Sequence, residues 1–179
     1  MKHTFLFTLV LALPGFLFCQ QQSKTGTVIT EYGKTYEVSN PDFKTDLLNE
    51  LKVVFDIGRS FGDSTKVNPL IHTAARYLNM HVHAGVPFKN LKVALVIHGN
   101  AANDILNTKE YNAKYSINNP NTELISALTK KGVQIILCGQ TAAHRNISKS
   151  DLHPDIKLAL SAMTALVQLQ NEDYKLINF

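Results

Sequence analysis

Three short apolar runs alternate with helix-forming segments, and that alternation leaves few architectures open to the chain. The runs cover residues 52–57 (KVVFDI), 92–97 (KVALVI) and 133–137 (VQIIL). Each closes on turn-forming residues: Gly58, His98-Gly99 and Cys138-Gly139. After the first run, Asn68-Pro69 can cap and start a helix, because proline suits the first helical position. Its apolar face carries Ile71, Ala74, Ala75, Leu78 and Val82, and Gly85 can end it. A helix from Asn119-Pro120 carries Leu124, Ile125 and Leu128, with Lys130 and Lys131 in its last turn and Gly132 after it. A short helix is expected over 140–145. A longer one is expected from His153-Pro154, with Ile156, Leu160, Met163, Val167 and Leu169 facing mainly inward. The chain closes on a strand over 174–179. Strands separated by helices imply right-handed crossovers and a parallel sheet. The expected fold is therefore α/β: an open, doubly wound parallel sheet with helices on both faces.

The N-terminus sets the compartment. Lys2 and His3 precede an apolar run from Phe5 to Leu13, Pro14-Gly15 breaks it, and Gln20-Gln21-Gln22-Ser23 follows. This is the layout of a secretory signal peptide over 1–19, too short for a membrane span. Cleavage after Cys19 would leave Gln20 first. Acylation of Cys19 would need a small residue before it, and Phe18 stands there. The expectation is an exported protein, periplasmic or secreted, with an arm or hairpin over 20–50, turning at Tyr32-Gly33, and an α/β domain over 51–179. About 160 residues remain after cleavage, enough for one domain with a sizeable core. The formal charge of +4 lies on scattered lysines without a basic run, which gives nucleic-acid binding no support. No later segment has the length or apolarity of a transmembrane helix.

With Cys19 in the leader, Cys138 is the sole thiol of the mature chain, so an intrachain disulfide is impossible. A lone cysteine in an exported protein is either buried and inert or chemically used. Cys138 falls where a strand turns into a helix, and backbone N–H groups at a helix start favour a thiolate. In open parallel sheets, sites form outside the carboxyl ends of the strands. Two of the three strands deliver a reactive side chain there, Cys138 and His98. His98 is the natural base or hydrogen-bond donor for the thiol, or else a histidine tied to loop backbone. A third member could be Asp56, Asp104 or nothing. Gly99, Asn100, Gly139 and Gln140 flank the two residues and are the candidates for lining a substrate pocket.

Other chemistries find less support. His81 and His83 point about 200° apart on a helix, and His72 and His83 lie ~16 Å apart along its axis, so neither pair can share an ion. His144 and His153 belong to different elements, and no zinc-type spacing occurs. No metal site and no cofactor are expected. There is no GxGxxG, Walker loop or nucleophile-elbow serine. Asn146-Ile147-Ser148 matches a glycosylation sequon, relevant only in a eukaryotic secretory route. Tyr111 and Tyr115 fall in the long connection after the second strand, where packing under a loop explains them as well as a pocket does.

The segments VALVIHGN, NPNTELISALTKKGVQIILCGQT, HPDIKLALSAMTALVQLQ and the terminal YKLINF, in that order and spacing, resemble the DsrE/DsrF-like family, specifically its exported small members. The arm and KVVFDI extend the similarity to most of the mature domain. The resemblance implies a flavodoxin-like α/β fold assembling as a homotrimer or homohexamer. Cytoplasmic relatives carry sulfur as a persulfide on a cysteine at a strand end just before a helix, the position of Cys138. The expectation is an exported sulfur-binding or sulfur-transfer protein, a persulfide carrier more than a turnover enzyme, served by a donor or acceptor protein or an external thiol. The competing reading is an oligomeric small-ligand or protein-binding module in which Cys138 is structural.

Overall fold

The computed structural model describes residues 23–179; the signal peptide expected over 1–19 lies outside the described residues. Five parallel strands form one sheet in the order β4-β3-β2-β1-β5, with β1 Leu51–Ile57, β2 Leu91–Ile97, β3 Gln134–Cys138, β4 Lys157–Ala159 and β5 Lys175–Asn178. The helices are α1 Pro69–His83, α2 Thr108–Tyr115, α3 Thr122–Lys130, α4 Gly139–His144 and α5 Ala162–Asn171. The α/β parallel fold expected from the sequence is the one observed.

Strand alternation sends side chains to two unequal cores. Val53, Phe55, Ile57, Val93, Leu95, Ile97, Ile135 and Leu137 join the large core formed with α1 and α3. Val54, Ala94 and Val96 face the other way and meet Ala165 and Leu169 of α5. Asn68 caps α1 with its side chain, accepting from the Leu70 N–H at 2.9 Å, and Pro69 occupies the first turn.

Two sequence expectations need correction. The helix placed from His153-Pro154 onward is instead a turn, the short strand β4, and a later helix capped by Ser161, whose Oγ accepts from the Thr164 N–H at 3.0 Å. Residues 157–159 pair in register with β3, which claims their backbone groups for the sheet. Of the residues assigned inward, Ile156 and Leu169 are buried, while Leu160, Met163 and Val167 are exposed. The long connection after β2 is also structured, as a 3-10 segment over Gly99–Ile105 followed by α2. Tyr111 is buried there, its hydroxyl donating to the Ser64 carbonyl at 2.9 Å, which is the packing role.

Among the described residues the arm forms no regular hairpin; an isolated antiparallel bridge joins Lys24 and Thr35. Asn79 of α1, fully buried, holds it instead. Asn79 Oδ1 accepts from the Val28 and Ile29 N–H groups at 3.1 and 3.0 Å, and His72 Nε2 accepts from the Gly33 N–H at 2.9 Å.

Candidate functional site

The connections determine where the sheet opens. From β3 the chain passes through α4, whose Ala142 packs into the large core. From β4 it passes through α5, which covers the opposite face and leads back across the sheet to β5. The carboxyl ends of β3 and β4 are neighbours whose following helices diverge to opposite faces. That divergence is the topological switch point, the usual place for a ligand crevice in a doubly wound sheet. Cys138 is the last residue of β3 and the residue that precedes α4.

The sulfur collects donors from both helices. The backbone N–H and hydroxyl of Thr141, the N–H of Ala162 at the start of α5 and the N–H of Gln140 face the sulfur and favour its thiolate, although the Cys138 side chain makes no full capping hydrogen bond to α4. Cys138 is only 6 % exposed. Burial is the largest single influence on the thiol and pushes its pKa up, but the four facing donors together outweigh it. The thiol therefore titrates below its ordinary value. Gly139 is required at this turn, since a Cβ there would run into the carbonyl oxygens of Ala159 and Leu160 at the end of β4.

His98 stands level with Cys138. β2 and β3 are adjacent, with Ile97 opposite Leu137, so the two residues leave neighbouring strands at the same height. The imidazole does not serve the sulfur, however. Its Nε2 is paired with Asp56 Oδ1 of β1 at 2.9 Å. Of the third members left open by the sequence, Asp56 is the one bonded to His98; Asp104 is bound to Ser60 and Asn68. Thr141 is the residue that sequence reading missed. Its hydroxyl reaches the sulfur while accepting from the Gly99 N–H at 3.3 Å, so it links the ends of β2 and β3.

The remaining candidates line this edge in structural roles. Gly99 adopts φ +54°, and a Cβ on it would sit 2.6 Å from the Gly58 carbonyl oxygen. The Asn100 side-chain oxygen accepts from the Arg145 guanidinium, and Gln140 Nε2 donates to the Leu160 carbonyl at 3.3 Å. Among the described residues no group of three or more His, Cys, Asp or Glu side chains could hold a metal ion. No helix among them is long and apolar enough to cross a membrane.

The DsrE/DsrF-like family model matches residues 52–179. The chain belongs to this family. The family is linked to sulfur relay, and its members are often oligomeric. Two solved structures share the fold. A protein of unknown function from Methanobacterium thermoautotrophicum, MTH1491, is 19 % identical with a TM-score of 0.55, over 73 % of this chain and 100 % of that one. The ychN protein from E. coli is 18 % identical with a TM-score of 0.54, over 72 % of this chain and 99 % of that one. No curated protein matches the sequence.

Proposed function

We propose that this DsrE/DsrF-like protein is an exported persulfide carrier whose sulfur-bearing group is Cys138. The observation that supports this best is the convergence of donors from α4 and α5 on one sulfur at the switch point, which lowers its pKa. Thiolate is the attacking form in exchange at sulfur. The Cys138 thiolate attacks a sulfane sulfur of the donor, and a new sulfur–sulfur bond forms. The bond to the donor breaks, and the donor leaves with the electron pair as a thiolate or shortened polysulfide. The product, a cysteine persulfide, bears its negative charge on the outer sulfur. With no second cysteine among residues 20–179, release requires an external thiol or a partner protein. His98, paired with Asp56 across the neighbouring strands, stands beside the sulfur in this reading without bonding to it.

Intact mass after exposure to polysulfide tests the proposal. The expected result is a gain of one sulfur that reductant reverses and Cys138→Ser abolishes; an unchanged mass would refute it. The binding-module reading draws on the deep burial of Cys138 and on clefts walled by other residues, such as one of about 360 Å³ between the arm and the end of α1. It predicts a thiol that reacts only after unfolding.

The same reading includes assembly with further copies of the chain, as a trimer or a hexamer built from trimers. Leu158 of β4, Leu160 just after it, and Met163 and Val167 of α5 are exposed apolar side chains, with Met163 75 % and Leu160 72 % exposed. Light scattering at micromolar concentration should show the closed oligomer, and a monomer would contradict it. Export, the other part of the proposal, predicts a mature chain beginning at or near Gln20 in its native host; a mature chain retaining Met1 would refute it.

A further inference from the structure

A second buried acid at the same edge of the sheet has no part in the sulfur chemistry. The loop after β1 and the 3-10 segment after β2 border a cleft of about 260 Å³, with apolar walls from Phe61, Val67 and Pro69. The Asp104 carboxylate lines it, although the residue is only 5 % exposed. Asp104 Oδ1 accepts from the Ser60 hydroxyl at 3.0 Å, and Oδ2 accepts from Asn68 Nδ2 at 2.6 Å. Both donors are neutral. Among the described residues no Lys, Arg or His forms an ion pair with Asp104: Lys66, which lines the cleft, is paired with Asp63 at 2.9 Å, and the Arg59 guanidinium lies over the Phe61 ring, 5.9 Å from its centroid.

A carboxylate buried to this degree is costly unless it meets a positive charge. Burial pushes the Asp104 carboxyl above its ordinary range, against the opposite pull of the Asn68 and Ser60 bonds. The group is nevertheless held firmly in place. Asn68 is fixed by its own N–H to Asn121 Oδ1 at 2.8 Å and by its second contact, to the Arg59 carbonyl at 2.9 Å. A divalent metal would call for several oxygen ligands and tolerate few apolar walls. A cation with an apolar body fits both features.

We propose that this cleft binds a small organic ammonium ion, its nitrogen paired with the Asp104 carboxylate and its short apolar body against Phe61, Val67 and Pro69. The site is independent of Cys138 and stands or falls apart from the carrier proposal. The other ionisable groups that line the cleft, Asp63 and Lys66, hold their charge between pH 4 and 7. Asp63 is held down to about 2 by its bonds to Thr65 and Lys66, and Lys66 is raised by Asp63. On α2, burial and then the charge of Asp104 push Tyr111 up to about 12 and Tyr115 upward as well. Asp104 is thus the group whose titration should govern binding in that range, with the proton and the ammonium competing for one carboxylate.

The test is a backbone-amide NMR titration of the purified protein with n-butylammonium at constant ionic strength, with 1-butanol as the neutral counterpart. Saturable shifts are expected at Ser60, Phe61, Asn68 and Asp104. Because hydrogen bonds to charged groups contribute roughly 1.5–3 kcal/mol, affinity should fall about tenfold or more with 1-butanol or with Asp104→Asn, and it should be weaker at pH 4 than at pH 7. Phe61→Ala, at an exposed position, provides a second variant and should also weaken binding. The absence of saturation, equal binding of 1-butanol, affinity independent of pH, or binding unchanged in Phe61→Ala would each overturn the proposal.

Discussion

Cys138 and Asp104 are two acids buried almost equally at the same edge of one sheet, 6 % and 5 % exposed, yet their ionisation moves in opposite directions. Burial pushes both pKa values up. For Cys138 the backbone N–H groups of three residues and a hydroxyl reverse the effect; for Asp104 two neutral side-chain donors do not. The difference lies in what the switch point supplies. Where α4 and α5 diverge, two helix starts bring unsatisfied N–H groups to one atom. Asp104 sits in a 3-10 segment away from that divergence and depends on Ser60 and Asn68 alone. Burial alone therefore identifies neither residue as reactive; the donors, together with the denser protein surroundings of Asp104, decide.

The largest expected effect is Cys138→Ser, which should abolish the polysulfide-dependent mass gain completely while leaving far-UV circular dichroism unchanged. Thr141→Val removes one of the four donors to the sulfur and keeps the backbone ones. A charge-assisted hydrogen bond contributes roughly 1.5–3 kcal/mol, so alkylation of Cys138 at pH 7 should slow by about tenfold. An unchanged rate would show that the backbone donors suffice without the hydroxyl.

The two acids should also carry opposite pH dependences of stability. The lowered thiol contributes stability that is fully present above the unfolded value of ~8.5 and is lost as pH falls through the folded value. The raised carboxyl contributes stability that is present below the unfolded value of ~3.9 and is lost as pH rises through the folded value. Urea denaturation across pH should therefore show Cys138→Ser flattening the alkaline slope and Asp104→Asn flattening the acidic one. Finding either slope unchanged would remove that residue from the comparison. The smallest effect belongs to His98→Ala. With its Nε2 paired to Asp56 and no hydrogen bond to the sulfur, it should alter the Cys138 alkylation rate far less than loss of a direct donor does. A change as large as that of Thr141→Val would restore His98 as the thiol's partner.

Much of this site could be read from the chain because β1, β2 and β3 are buried on both faces and appear as apolar runs closed by turn residues. That placed Cys138 and His98 at one edge. The donors to the sulfur were harder to read. Ala162 starts a helix that sequence periodicity placed earlier: Ile156, Leu160, Met163 and Val167 recur at helical spacing although residues 157–159 pair with β3. Short apolar stretches fit either period, and sheet pairing decides between them. Ser161, a good N-cap two residues after β4, was the available signal for the true helix start. The Asp56–His98 pair followed from register. Asp56 lies one residue before the end of β1 and His98 one residue beyond β2, a relation visible only once those strands are known to be adjacent and parallel.

Cys138 is held in the folded protein as a buried but acidified thiol, and the carrier reading needs it to react in the native state. The rate of Cys138 carbamidomethylation by iodoacetamide, followed by intact mass from pH 5 to 10 in the native protein, measures this directly. The expected result is a midpoint below the ~8.5 of an unperturbed cysteine and a faster reaction at pH 7 than that of a model thiol. A thiol that stays inert until the chain is unfolded, or one that titrates at or above the unperturbed value, would contradict it.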